Sequence, residues 1–496
     1  MSSSETSVVE PKDGIAAEAS TGGKQDATSP SIWAKLNHWT GLDRAIGFAV
    51  MARVWAALAG VVMVLLIARF LSLNEQGYYY TFYSLVALQV LFELGFFYVV
   101  LQLAAHELAR LTIAPDGRIK GDPVAHSRLA SVLQKCVRWY SIAAVLMVAT
   151  LLPAGLYFFS KNQHTDASVA WKGPWCLLVV AAAITFQLDP VTAFVEGCGF
   201  ISDMARMRLV QGLVGSTLAW TAMVTHHGLY SPAMMIVGMG SVQIAFLSGP
   251  TLRHLLTGLL RHHVSGNGIR WRQEVWPFQW RIAITWTSSY LISLLFNPVV
   301  FMFRGPIEAG RMGMSINITA AIGAVGIAWV STKASPMGNL VARGEIAKLD
   351  KLFFRTLWQS TVLLATGAAG LYLCLVIGGH RFPKLAMRVL PPWALGLLLV
   401  TTLMNHVLFT EALYLRAHKR EPFLVQALVV LIIIVTSTLL LAKFWGADGV
   451  AVGYFLFGGL LSLAWRTQIF NASRREWYGS SATRGELVCA GEPVDR

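Results

Sequence analysis

A few polar side chains stand inside long apolar runs, and these are the groups that could do chemistry. Arg53 lies in the run 45–71, about 12–14 Å along a helix that rises 1.5 Å per residue. A central arginine costs about 2.5–3.5 kcal/mol to insert, so it must face a cavity or a partner, not lipid. It shares one helical face with Ala49, Ala56 and Gly60. Such a face either lines a cleft or admits a close helix neighbour. A guanidinium matches phosphate oxygens in a two-pronged fork; the other use for Arg53 is an ion pair with a buried acid. Arg281 opens a later run, followed by Thr285, Ser288 and Ser289 on about one face. Those hydroxyls suit a wet cavity wall and hydrogen bonds to sugar, or polar packing between helices. Arg281 itself either joins that wall or snorkels at the membrane edge.

Three further groups are candidates for moving protons or cations. Glu93 lies near the middle of its run, and Asp189 precedes Pro190, where proline frees a backbone carbonyl. Acids in such positions couple transport to a proton or cation, or neutralise a basic partner; for Glu93 the partner would be Arg53. His406, beside Asn405, either joins a relay or is a hydrogen-bonded bundle residue. Glu196 and Glu411 end two other runs, with Arg206, Arg208, Arg416 and Arg420 nearby. They read as a cytoplasmic gate closed by ion pairs, or as solvated helix ends.

The elements that hold these groups are transmembrane helices. Hydrophobic residues make up 55% of the chain and charged residues 13%, and the mean hydropathy is +0.56. A soluble protein needs about a quarter charged residues to cover its surface. About twenty apolar residues span a bilayer as a helix, and twelve such spans are predicted: 45–71, 79–104, 139–159, 174–197, 209–226, 232–256, 282–303, 312–332, 356–378, 390–415, 422–442 and 449–470.

The chain also carries an internal repeat. Phe194-Val195-Glu196 and Leu209-Val210-Gln211 return at the same interval as Phe409-Thr410-Glu411 and Leu424-Val425-Gln426. Asn74-Glu75-Gln76-Gly77 is echoed by Ile307-Glu308-Ala309-Gly310. Six spans per half is an even number, so the halves enter the membrane with the same polarity. The predicted fold class is an all-α integral membrane protein of two six-helix bundles related by a pseudo-two-fold axis along the membrane normal. The bundles are expected over 33–262 and 263–471, after a disordered cytoplasmic leader 1–32 and before a cytoplasmic tail 472–496.

Charge sets the orientation. With the N-terminus cytoplasmic, 30 Lys/Arg fall inside and 8 outside, which predicts that both termini lie on the cytoplasmic side. The net charge of +14 then belongs to short loops beside anionic lipid, not to nucleic acid. The five cysteines have no metal or redox spacing, and no metal or cofactor is expected. External loops are short and no Asp-x-Asp motif occurs, which argues against a membrane enzyme of polysaccharide assembly.

The residues Ala68-Arg69-Phe70-Leu71-Ser72-Leu73-Asn74-Glu75-Gln76-Gly77-Tyr78-Tyr79 resemble the end of the first span in polysaccharide and O-antigen flippases. These belong to the MATE-like multidrug/oligosaccharidyl-lipid/polysaccharide (MOP) exporter superfamily. The usual family form is Ala-Arg-x-Leu-Gly-Pro-x-x-x-Gly-x-Tyr. Arg304-Gly305-Pro306-Ile307-Glu308-Ala309-Gly310 keeps the Gly-Pro that the first copy replaces with Ser72-Leu73. Phe92-Glu93-Leu94-Gly95, Glu196-Gly197-Cys198-Gly199 and the loop 337–351 are similar to further family motifs. The resemblance covers roughly 45–470. It implies two bundles facing each other as a V around a central cavity. It further implies that an undecaprenyl-diphosphate-linked oligosaccharide is moved to the outer leaflet, for lipopolysaccharide or a related glycan. The implied partners are that lipid-linked substrate, membrane lipids and other polysaccharide-assembly membrane proteins. A cation-coupled small-molecule antiporter of the multidrug type is the alternative on the same fold.

Overall fold

The structure is a computed structural model that describes residues 44–93, 95–162, 169–264, 268–276, 291–292, 294–381, 383–418 and 423–489. The leader 1–32 and the stripe Arg281, Thr285, Ser288, Ser289 lie outside the described residues.

Helix α1 (Arg44–Phe70) is apolar on every side. Its outer face, with Val50, Val54, Leu58, Val61 and Leu65, is exposed. Hydrocarbon tolerates such a surface and water does not. Helix α2 (Leu73–Val86) continues through helical turns Ala87–Gln89 and Val90–Glu93 to a break, after which α3 (Phe96–Leu108) begins. The two parts meet at 44°. Gly95 sits at the break with φ 71°, a left-handed conformation that glycine adopts without strain. The expected continuous span 79–104 is therefore a discontinuous one, and Glu93 stands at the interruption.

A hairpin of β1 (Leu111–Ile113) and β2 (Ile119–Gly121) follows, paired Leu111↔Gly121 and Ile113↔Ile119. Its turn holds Asp116-Gly117, with φ 84° at the glycine. This is a small addition to the all-α prediction. The first half is completed by α4 (Pro123–Lys161), α5 (Lys172–Gly197), α6 (Ile201–Val224), α7 (Ser231–Leu247) and α8 (Pro250–Arg261). The second half holds α9 (Phe296–Arg304), α10 (Pro306–Ser331), α11 (Ala334–Ala342), α12 (Ile346–Arg381), α13 (Pro392–Ala417), α14 (Leu424–Gly453) and α15 (Ser462–Cys489). Helix α14 kinks at Gly446, φ 66°, between the two last predicted spans. Beyond the kink the Glu308 carboxylate accepts the Ala447 N–H at 3.1 Å, filling one free donor of the restarted helix. Eight helices, or nine with the bent pair, are long and apolar enough to cross a membrane among the described residues. Helix α15 runs on to Cys489, through most of the expected tail 472–496.

The halves meet where α2 faces α10. A Cβ on Gly77 would lie 2.0 Å from the Pro306 carbonyl oxygen, and one on Gly310 would lie 2.9 Å from the Gly77 nitrogen. The repeated glycines thus press on each other across the junction, where only the smallest residue lets backbones approach. The two copies start their helices differently. Ser72 forms a capping box with Glu75, at 3.2 and 2.8 Å. In the other copy Gly305 precedes Pro306, with φ 85°. Residues 268–276, which the sequence assigns to the second bundle, pack on the first. Trp271 stacks on Phe96 at 5.3 Å, and Arg128 of α4 joins Glu107 and Glu274 at 2.8 and 2.7 Å.

Candidate functional site

A cavity of about 370 Å³ opens between α1, α2, α6 and α7. Helix α1 presents Ala56 and Gly60 of the face read from the sequence, together with Met63 and Ile67. Helix α2 adds Tyr79, Tyr80 and Tyr83, helix α6 adds Ser216 and Trp220, and Asn317 of α10 brings the second half to the wall. No charged residue is among those lining it. Trp55 donates its indole N–H to the Ser216 hydroxyl at 3.2 Å, and Tyr83 donates to the Met235 sulfur at 3.4 Å. A Cβ on Gly60 would meet nothing within 4 Å.

Arg53 stands on the same face of α1, one turn before Ala56, and is exposed. It makes no ion pair among the described residues. Of the two uses the sequence left open for Arg53, an ion pair with Glu93 does not occur among the described residues. The charged neighbour of Glu93 is Asp189, another acid. Asp189 accepts a hydrogen bond from Gln243 at 3.4 Å, and Thr192 bonds its backbone carbonyl at 2.7 Å. The buried Tyr140 hydroxyl lies within range of both acids and has no hydrogen-bond partner among the described residues. The interrupted span and Pro190 explain this polar pocket: both leave backbone groups free that polar side chains can meet.

His406 is far from these acids in sequence and belongs to the second half. It is 2% exposed, and its Nε2 lies 2.8 Å from the Ser360 hydroxyl. Ser360 already donates to the Thr356 carbonyl at 2.8 Å. The other ring nitrogen, Nδ1, is buried and has no hydrogen-bond partner among the described residues. The neighbouring Asn405 donates to the Tyr454 hydroxyl at 2.9 Å. Asn405 lines two cavities, of about 230 and 200 Å³, and His406 lines the first of them.

The repeated glutamates differ. Glu196 is bound by Arg208 of its own half, at 3.1 and 2.5 Å. Glu411 is 3% exposed and accepts from Thr467 at 2.9 Å, with its second oxygen unpartnered among the described residues. No ion pair between Glu196 or Glu411 and the opposite half occurs among the described residues. The glutamines of the repeat behave alike. Gln211 bonds Met239 of the next helix at 3.2 Å, and Gln426 accepts from Arg466 at 2.8 Å, so each ties its helix to the one that follows.

A buried polar tie between the halves involves a residue that sequence reasoning counted only as a loop charge. Arg388 donates to the Gln76 side-chain oxygen at 2.8 Å and to the Leu71 carbonyl at 2.5 Å. Gln76 donates in turn to the Gly310 and Arg388 carbonyls, both at 2.9 Å. Gln76 and Arg388 are 1% and 9% exposed. The only sequence signal for this latch was the position of Gln76 within the first echo.

No protein-family model and no curated protein matches the sequence. Solved structures do share its fold. The chain is similar to a lipid II flippase, MurJ, in an inward closed conformation, at 13% identity and a TM-score of 0.58 over 91% of this chain and 94% of that one. It is similar to the MATE multidrug transporter DinF-BH, at 13% identity and 0.56 over 88% and 96%. A third is an inward-facing multidrug resistance MATE family transporter of the MOP superfamily, at 13% identity and 0.53 over 86% and 99%. The fold is accordingly the MATE-like one of two facing helical bundles.

Proposed function

We propose that this chain moves a lipid-linked oligosaccharide, of the undecaprenyl-diphosphate class, across the bacterial inner membrane by alternating access. The observation that carries the reading is Arg53: an exposed guanidinium without an acid among the described residues, on the face of α1 that further along lines the cavity between α1, α2, α6 and α7. A pyrophosphate leaving water needs a preorganised cation, and a guanidinium offers it two parallel hydrogen bonds. Opposite that face, α1 is bare hydrocarbon-soluble surface. The lipid tail would lie along it while the headgroup passes inside. Arg281 and the hydroxyls of Thr285, Ser288 and Ser289 would extend the sugar-facing wall from the second half. Glu93, Asp189 and His406 would couple the cycle to a proton or cation, and Glu196 and Glu411 would help close the cytoplasmic side. The fold shared with a lipid II flippase is consistent with this reading.

The test is reconstitution. Purified protein in liposomes carrying a fluorescent undecaprenyl-diphosphate oligosaccharide should expose the label to a membrane-impermeant quencher faster than empty liposomes do. Equal rates would end the proposal. A cation-coupled small-molecule antiporter is the second reading, favoured by two acids side by side with no basic partner among the described residues at the broken span. Efflux of a fluorescent aromatic cation such as ethidium, driven by a proton gradient and with no movement of the glycolipid, would select it.

A further inference from the structure

A cavity of about 460 Å³ lies at the end of the second half where α9 passes into α10. The transport cycle proposed above makes no use of it. Three charged side chains line it: Glu308 and Arg311 from the start of α10, and Asp448 from α14 just after its kink. None of the three forms an ion pair among the described residues. Asp448 lies in electrostatic range of the other two, yet its carboxylate accepts no hydrogen bond among the described residues. Arg311 is oriented by one bond, from Nε to the Met387 carbonyl at 2.9 Å, which leaves both terminal nitrogens unspent. Glu308 spends one oxygen on the Ala447 N–H. The unspent oxygens and nitrogens of these three residues are accessible, not sealed in.

Opposite charges held apart in one opening select a ligand that carries both. A bare anion meets two carboxylates, and a bare cation meets the guanidinium. A phosphate joined to an ammonium by a short linker takes the Arg311 fork at one end and Asp448 at the other. A primary ammonium has three N–H groups to give a carboxylate, and a quaternary one has none. The surroundings indicate the source of such a group. Trp445 lines the cavity and, like Phe444 beside it, is 66% exposed. Exposed aromatic rings at the end of a span belong at the membrane interface. From there Leu440 and Ile432 continue an exposed apolar face of α14 toward the hydrocarbon. We propose that this cavity binds the headgroup of a zwitterionic phospholipid, phosphatidylethanolamine. Its phosphate rests on Arg311, its ammonium on Asp448, and its acyl chains lie along α14. Loop charge predicts that this end faces outward, which makes the site one for the outer leaflet. It stands whatever the chain transports.

The test is native mass spectrometry of the full chain in detergent, with phosphatidylethanolamine, phosphatidylglycerol and phosphatidylcholine of the same acyl chains present in equal amounts. Phosphatidylethanolamine should be retained about three- to tenfold over each of the others. Asp448→Asn should erase that preference, because a neutral amide neither attracts the ammonium nor repels an anionic lipid. Arg311→Gln should lower retention of all three lipids, since all carry the phosphate. Melting temperatures in the same detergent check that each variant is folded, and Asp448→Lys gives a second reading at that position by repelling the ammonium outright. Free phosphoethanolamine should compete poorly, because it lacks the chains that lie on α14. Equal retention of the three lipids overturns the site, as does a preference that both Asp448 variants leave unchanged. Displacement of the lipid by free phosphoethanolamine at equal concentration overturns the lipid as its source. Calcium chloride that raises the melting temperature of the wild type but not of Asp448→Asn, with no lipid preference in either, also overturns the proposal and makes the cavity a cation site.

Discussion

At the scale of single residues, the value of Arg53 lies in what it does not touch. A structural arginine in a span has an acid beside it, and its removal strands that acid and lowers protein levels. Arg53 is exposed and unpaired among the described residues, while Glu93 is near Asp189 instead. Arg53→Met is therefore expected to leave folding and abundance at wild-type levels while reducing glycolipid flipping at least tenfold. Arg53→Lys should recover only part of the rate, since an ammonium cannot form the two-pronged contact. Western blotting and the liposome quenching assay read both halves of this prediction. A variant that flips at the wild-type rate would remove Arg53 from the phosphate role. The sequence puts Arg53 on one helical face with Ala56 and Gly60, because helical spacing alone fixes which residues share a face. It did not reveal Tyr79, Tyr80, Tyr83 or Trp220 as a lining, because aromatics in an apolar run look the same whether they meet lipid, core or cavity.

At the scale of elements, contact between the two echoes is the organising fact. The repeat was legible from spacing, but its packing was not, since nothing in the sequence says that two distant copies touch. Gly77 supports a sharp expectation. A methyl group there would stand 2.0 Å from the Pro306 carbonyl oxygen, and backbone cannot swing aside as a side chain can. Gly77→Ala should destabilise the protein by about 1–3 kcal/mol or more through overpacking. Gly338→Ala, also helical but with open space around it, should be neutral or slightly stabilising. Melting curves of the two variants in the same detergent make the comparison. The span 79–104 was misread as continuous because Glu-Leu-Gly can sit in a helix. The break needs the left-handed backbone at Gly95, which only the three-dimensional context selects.

The strap 268–276 carries a second element-scale prediction. The Arg270 backbone N–H and then the Arg128 guanidinium hold the Glu274 carboxyl below its usual range. A carboxyl depressed in the folded state contributes stability above its unfolded value and loses it as pH falls through the folded value. The strap should therefore stay docked at neutral pH and loosen in acid below about pH 4, the ordinary glutamate range. Hydrogen exchange at Trp271 and Gln273 should rise on acidification in the wild type. In Glu274→Gln it should be raised already at pH 7 and vary less with pH. Equal exchange in the two proteins at pH 7 would show that Trp271 stacking alone fixes the strap.

At the scale of the whole molecule, alternating access requires that the two halves be held together at one end and released in turn. Here the tie is at the end where α1 passes into α2 and α9 into α10, and its polar part is the bridge from Arg388 to Gln76 and Leu71. Loop charge bias predicts that this end faces outward. A buried charge-assisted bridge is a suitable switch because breaking it is costly unless water enters at the same moment. Arg388→Met removes the donor and leaves the Gln76 oxygen and the Leu71 carbonyl unmet, at about 1–3 kcal/mol for each. The closed arrangement should then lose population to one open at this end. Spin labels at His227→Cys and Trp445→Cys, both exposed and on opposite halves, would report the separation in a background freed of native cysteines. The expected result is a single short distance with Arg388 in place and a second, longer population in Arg388→Met. Gln76→Leu should act in the same direction, because it removes the acceptor and the bonds to Gly310 and Arg388 together. If both variants keep the wild-type distance distribution, the glycine contact at Gly77 and Gly310 alone holds this end shut, and Arg388 is no latch.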